Sequence, residues 1–156
     1  MQIKLSNTNA QYLYILTSKI GGTDIKTIRQ LKAIFLKIQW QTEDFERKWE
    51  VLAFQINLRN EKIAQYKQTG KVKENSEEIE KMEAEMKDIA MEIDNLKNTE
   101  IEIDLNGDDC GFLLNSIDAM LEKQIYDEKG NVSCGISGKK ELEAMDAVYT
   151  ALENAK

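Results

Sequence analysis

The chain has 156 residues, 42% hydrophobic and 31% charged, with 8 Gly, 2 Cys, no Pro, no His and a net charge of −7. That is one domain's worth of sequence with enough aliphatic content for a modest core, which excludes wholesale disorder. Without His, the Ser-His and Cys-His nucleophile pairs and every His-bearing metal site are excluded, so no catalytic residue, metal or cofactor is expected.

Gln2-Ile3-Lys4-Leu5 alternates as a short strand does, polar Ser6-Asn7-Thr8-Asn9 follows, and Tyr12, Leu13, Leu16 and Ile20 recur at helical spacing. Met1-Gln2-Ile3-Lys4 shows no apolar core of a secretion signal. Gly21-Gly22 closes this segment, Thr23 suits a helix cap, and Ile25, Ile28, Leu31, Phe35 and Ile38 continue on one face. No Pro or Gly then interrupts the chain before Gly70. The pattern predicts one helix over residues 24–67, about 66 Å long at 1.5 Å per residue.

The clearest signal lies within that helix and beyond it. Phe35, Ile38, Thr42, Phe45, Trp49, Leu52, Ile56, Arg59, Ile63 and Tyr66 are spaced alternately by three and four. After Gly70 the alternation resumes at Ile79, Met82, Met86, Ile89, Ile93 and Leu96. A 3.5-residue period on both sides of a turn keeps one seam facing a partner, which predicts an antiparallel coiled-coil hairpin. Gly70 suits the turn, and Asn75 followed by Glu78 suits a capped helix start. Aromatic rings at Phe45, Trp49 and Tyr66 are expected to pack against Met82, Met86 and Met91.

Trp40, Phe54 and Leu58 fall outside the seam. They define a second apolar strip, expected to be covered by a protein partner or a second copy of the chain, so a homo-oligomer is anticipated. The second arm is rich in carboxylates on a solvated face, among which Glu83 and Glu85 are the candidates for contact with a basic partner.

At an offset of one hundred residues from Ile3 and Leu5, Glu100-Ile101-Glu102-Ile103-Asp104-Leu105 alternates again, polar Asn106-Gly107-Asp108-Asp109 follows, and Phe112, Leu113, Ile117 and Met120 recur at helical spacing. Ile3/Ile103, Leu5/Leu105 and Leu13/Leu113 match in register. Asp104, Asn106 and Asp108 imitate the start of a calcium loop, but the sixth position is Asp109 rather than Gly and the twelfth is Asn115 rather than Glu. The turn is therefore expected to cap a helix. Leu142, Met145, Val148, Tyr149 and Leu152 mark a last amphipathic helix. The loop before it, with Gly135, Ser137, Gly138, Lys139 and Lys140, lacks the spacing of a phosphate loop yet can hold a small anion at a helix N-terminus.

The expected fold is mainly α with minor β. Residues 1–39 and 100–156 form a discontinuous base with a small two-stranded sheet, and residues 40–99 form the inserted hairpin. No stretch approaches the roughly 20 apolar residues of a membrane span. Two Cys, Cys110 and Cys134, without a CxxC pair point to a reducing cytoplasm. Residues 1–73 carry 13 Lys and Arg against 6 Asp and Glu, and residues 74–156 carry 8 against 22. The acidic half argues against direct nucleic-acid binding.

These features point to a non-enzymatic protein that binds a protein partner stoichiometrically and self-associates. A short, acidic, His-free and Pro-free chain with a helical hairpin is similar in make-up to small phage and mobile-element accessory proteins, though no residue motif assigns a family, and a phage accessory or anti-defence inhibitor is the form of binding expected. The alternatives are an oligomer that sequesters a small anion or nucleotide, and a structural component of an assembly.

Overall fold

The computed structural model describes residues 2–20, 24–122, 125–126, 132–134 and 138–156. In chain order the elements are β1 (Gln2–Ser6), α1 (Asn7–Lys19), α2 (Ile25–Gln68), α3 (Ser76–Asn98), β2 (Glu100–Asp104), α4 (Gly107–Glu122), β3 (Ile125–Tyr126), β4 (Val132–Cys134) and α5 (Lys139–Ala155). The fold is mainly α with minor β. By contact the chain divides into two units, Met1–Thr42 with Glu100–Lys156, and Glu43–Thr99.

In the first unit β1 and β2 pair antiparallel, with Ile3 opposite Ile103 and Leu5 opposite Ile101. Alternation puts Ile3, Leu5 and Ile103 into the core and leaves Gln2, Lys4 and Glu102 exposed. Two strands alone are marginal, so helices must cover their apolar face. Leu13 and Leu16 of α1, Ile34 and Ile38 of α2, Leu113 and Ile117 of α4, and Val148 and Leu152 of α5 form one buried cluster with it. Leu13 and Leu113, matched by the hundred-residue offset, are both fully buried.

Caps explain where these helices start. The Asn9 N–H donates to Ser6 Oγ at 3.2 Å, so α1 begins directly after the strand rather than after a four-residue polar turn. Thr23 lies outside the described residues; Asp24 instead caps α2, accepting from the Thr27 N–H at 2.8 Å and from its hydroxyl at 3.0 Å. Those Thr27 donors hold the Asp24 carboxyl below its ordinary value. At α4, Asn106 Oδ1 accepts from the Asp109 N–H at 2.7 Å while Asp109 Oδ2 accepts from the Asn106 N–H at 3.3 Å, a reciprocal capping box.

Polar contacts tie the helices together. Lys37 Nζ donates to Asp109 Oδ2 at 2.8 Å, and the Tyr149 hydroxyl reaches both Asp118 oxygens at 2.9 and 3.1 Å. The Tyr14 and Phe35 rings stack at 4.8 Å. Burial pushes the Tyr12 phenol up to about 12, and the nearby Glu141 carboxylate adds to the shift. Cys110 is a buried free thiol, raised above its ordinary value by burial and then by the charge of Asp109.

Some expected apolar positions are solvent-facing. Ile25 and Ile28 at the start of α2 and Leu142 in the first turn of α5 are exposed, because each stands about a turn or more before its helix reaches the core. The connector between α4 and α5 also holds more structure than a plain loop. Ile125 pairs with Cys134 and Tyr126 with Val132, in keeping with the strand preference of β-branched and aromatic residues.

The second unit is an antiparallel helical hairpin. Gly70 adopts φ +68, a conformation that favours Gly, as the chain leaves α2. Arg59 Nε meets Glu85 Oε2 at 2.9 Å, and Tyr66 and Lys62 both reach Glu78, so residues descend one arm as they climb the other. Ile63, Ile79 and Met82 are buried together, with Tyr66 and Met86 packed against them. Phe45 and Ile89 are buried as well. Three expectations are corrected here. Trp49 is exposed rather than packed against the methionines, because the register of the hairpin sets it opposite the far end of α3. Asn75 sits at the start of α3 but its side chain makes no capping bond; its amide donates instead to the Lys71 carbonyl at 3.0 Å. Met91 is exposed, since it lies two residues from Ile89, about 200° around the helix and away from the seam.

Candidate interaction surface

Helical phase decides which side chains the hairpin leaves open. Phe54 precedes the buried Ile63 by nine residues, two and a half turns, so the two project from opposite sides of α2. Val51 and Leu58 stand three before and four after Phe54, on the same outer face. Exposures of 57% for Val51, 61% for Phe54 and 47% for Leu58 make this an open apolar row. Arg47 and Glu61, both exposed, continue it one turn further in each direction.

Beside the row runs a groove of about 450 Å³ between the arms of the hairpin, lined by Val51, Leu52 and Leu96 with Arg47, Lys48 and Glu92 at its edges. Val51 belongs to both features. An apolar side chain entering the groove would meet aliphatic walls with charges at the rim, the usual make-up of a protein-binding surface. Lys48 is held by Asp44 at 2.9 Å one turn earlier, so the rim charge there is already neutralised.

The other candidates are distributed differently. Trp40 lies in the first unit and is 76% exposed. Glu83 and Glu85 do not form one acidic surface: two residues apart on a helix, they point about 200° from one another. Glu83 is exposed, whereas Glu85 is engaged by Arg59 within the hairpin. Of the proposed anion site, Gly135 and Ser137 lie outside the described residues. Gly138, with φ +87, precedes α5, and Lys139 and Lys140 are exposed in its first turn, Lys139 leaning toward Glu143 at 3.9 Å.

Sequence reasoning did not find Val51, although its spacing from Phe54 and Leu58 carried the signal. Nor did it find the Lys62, Tyr66 and Glu78 group at the closed end of the hairpin. There the two donors lower the Glu78 carboxyl, Lys62 more than Tyr66, and the shared carboxylate raises both Lys62 and Tyr66. Among the described residues no group of three or more Cys, Asp or Glu is arranged to hold a metal, and no helix is long and apolar enough to cross a membrane. Compared with known proteins, the chain matches no family model, and no curated sequence or solved structure is significantly similar to it.

Proposed function

We propose that this is a non-enzymatic interaction protein that acts by stoichiometric binding through the outer face of α2 in the hairpin. The observation that carries the reading is the Val51, Phe54 and Leu58 row, three large apolar side chains left exposed along α2, Val51 and Leu58 standing at the edges of grooves that the helix shares with α3. Scattered exposed aliphatics need no explanation, but an aligned row beside an apolar groove does. Burying one such side chain yields roughly 1.5–3 kcal/mol, so the row is a natural anchor for a partner. The buried free thiol of Cys110 fits a reducing cytoplasm as the place of action. Inhibition of a cellular protein, as by a phage accessory factor, is one form this binding takes.

The test is capture from a bacterial lysate at low and high salt, using the wild-type chain and Phe54→Asp immobilised side by side. The reading expects a specific protein retained by the wild type at high salt, where apolar contacts persist and screened charges do not, and lost with Phe54→Asp. Capture that ignores Phe54→Asp, or none at all, contradicts it.

A further inference from the structure

We infer that the occupant of the outer α2 face is a second copy of the same chain, laid antiparallel with a two-fold axis at Phe54. This rests on the reading of that face as an interaction surface and names what sits on it. A two-fold interface requires one patch to complement itself. The row does so. With Phe54 facing its symmetry mate, Val51 falls beside Leu58 of the other copy, their heights along the helix differing by one residue rise of about 1.5 Å. Arg47 stands seven residues before Phe54 and Glu61 seven after it, so each Arg47 comes level with the other copy's Glu61, about 10.5 Å from the axis on either side. The apolar centre is thus flanked at both ends by opposite charges, and Glu50, exposed one turn before Phe54 on the same face, comes level with the other copy's Leu58.

Other arrangements lose that match. A parallel pair sets Arg47 against Arg47 and Glu61 against Glu61. Sliding the antiparallel pair by three residues brings Arg47 against Leu58 and Glu61 beside Asp44. Of these three arrangements, charge complementarity favours the antiparallel one centred on Phe54, the role that flanking charges play in helix pairing.

Sedimentation equilibrium from about 1 to 100 µM at low salt tests this, with far-UV circular dichroism showing equal helix content in every variant. The wild type associates as a dimer. Arg47→Glu and Glu61→Arg each raise the dissociation constant by about tenfold, because each reversal replaces two symmetry-related attractions by repulsions. The chain carrying both reversals returns to within about threefold of wild type, and an equimolar mixture of the two single variants dimerises likewise. A wild type that stays monomeric at 100 µM, single reversals without effect, or a double reversal without rescue overturns the inference. A monomer that still captures a different protein through Phe54 overturns only the self-docking, whereas a dimer that captures nothing leaves the self-docking in place and removes the wider reading.

Discussion

The Lys37 ammonium donates to Asp109 Oδ2 at 2.8 Å across 72 residues of sequence, joining α2 to the capping box that starts α4. Asp109 thus does two jobs, accepting from Lys37 and from the Asn106 N–H, and its carboxylate lies at the positive end of the helix. Asp109→Ala is expected to cost about 1–2 kcal/mol through the lost cap and pair. Lys37→Ala should cost only about 0.5 kcal/mol, because the ammonium is half exposed. Urea unfolding of both variants checks the order; equal losses would show that the cap contributes nothing.

Core and outer face should respond oppositely to truncation. Leu13→Ala and Leu113→Ala each remove a fully buried side chain beside the sheet and are expected to cost about 2–5 kcal/mol. Leu58→Ala, on the open row, should leave the stability of the monomer within about 0.5 kcal/mol. Denaturation at a concentration low enough to hold the chain monomeric is the measurement. A large loss at Leu58 there would mean that the chain itself covers this face.

The closed end of the hairpin has a pH dependence of fixed sign. Glu78 is lowered from its ordinary 4.5 by the donors Lys62 and Tyr66. With the folded value below the unfolded one, the stabilisation is present above about 4.5 and is lost as pH falls through the depressed value. Carbon-13 titration of the Glu78 carboxyl should give a midpoint below 4.5 in the wild type, moving up toward 4.5 in Lys62→Met with Tyr66→Phe. A wild-type midpoint at 4.5 or higher contradicts the arrangement.

Cys110 should be chemically quiet. Its sulfur is fully buried and its thiol raised by burial and by Asp109, so little thiolate forms near neutral pH. In a Cys134→Ser chain, whose remaining thiol is Cys110, a maleimide should react at least about tenfold faster after unfolding in urea than before. Equal rates would place Cys110 at the surface.

Local periodicity made much of this fold legible. The three-four alternation at Ile63, Ile79 and Met82 identified the seam, and the two-residue alternation at Ile3 and Ile103 identified strands that face each other. What it did not reveal depends on phase or distance. Composition groups Met91 and Glu85 with their neighbours, whereas two positions along a helix mean opposite sides. The turn at residues 106–109 is legible as a helix cap, but the link of Asp109 to Lys37 is not, because nothing local encodes a contact between residues so far apart. Val51 shows the same lesson on the outer face: its spacing was legible, but its exposure depended on where α3 packs.

The most direct measurement places a nitroxide at Lys67→Cys in the Cys134→Ser chain and reads the distance between labels in two copies by pulsed electron paramagnetic resonance. Lys67 lies thirteen residues beyond Phe54, so an antiparallel pair centred on Phe54 separates the labelled positions by about 39 Å along the helix axis, at 1.5 Å per residue. With up to about 25 Å between the labels across the pair, a distance distribution between about 40 and 46 Å that disappears with Phe54→Asp is the expected result. A parallel pair, with labels level and under about 25 Å apart, or no coupling between copies at all, would contradict the account.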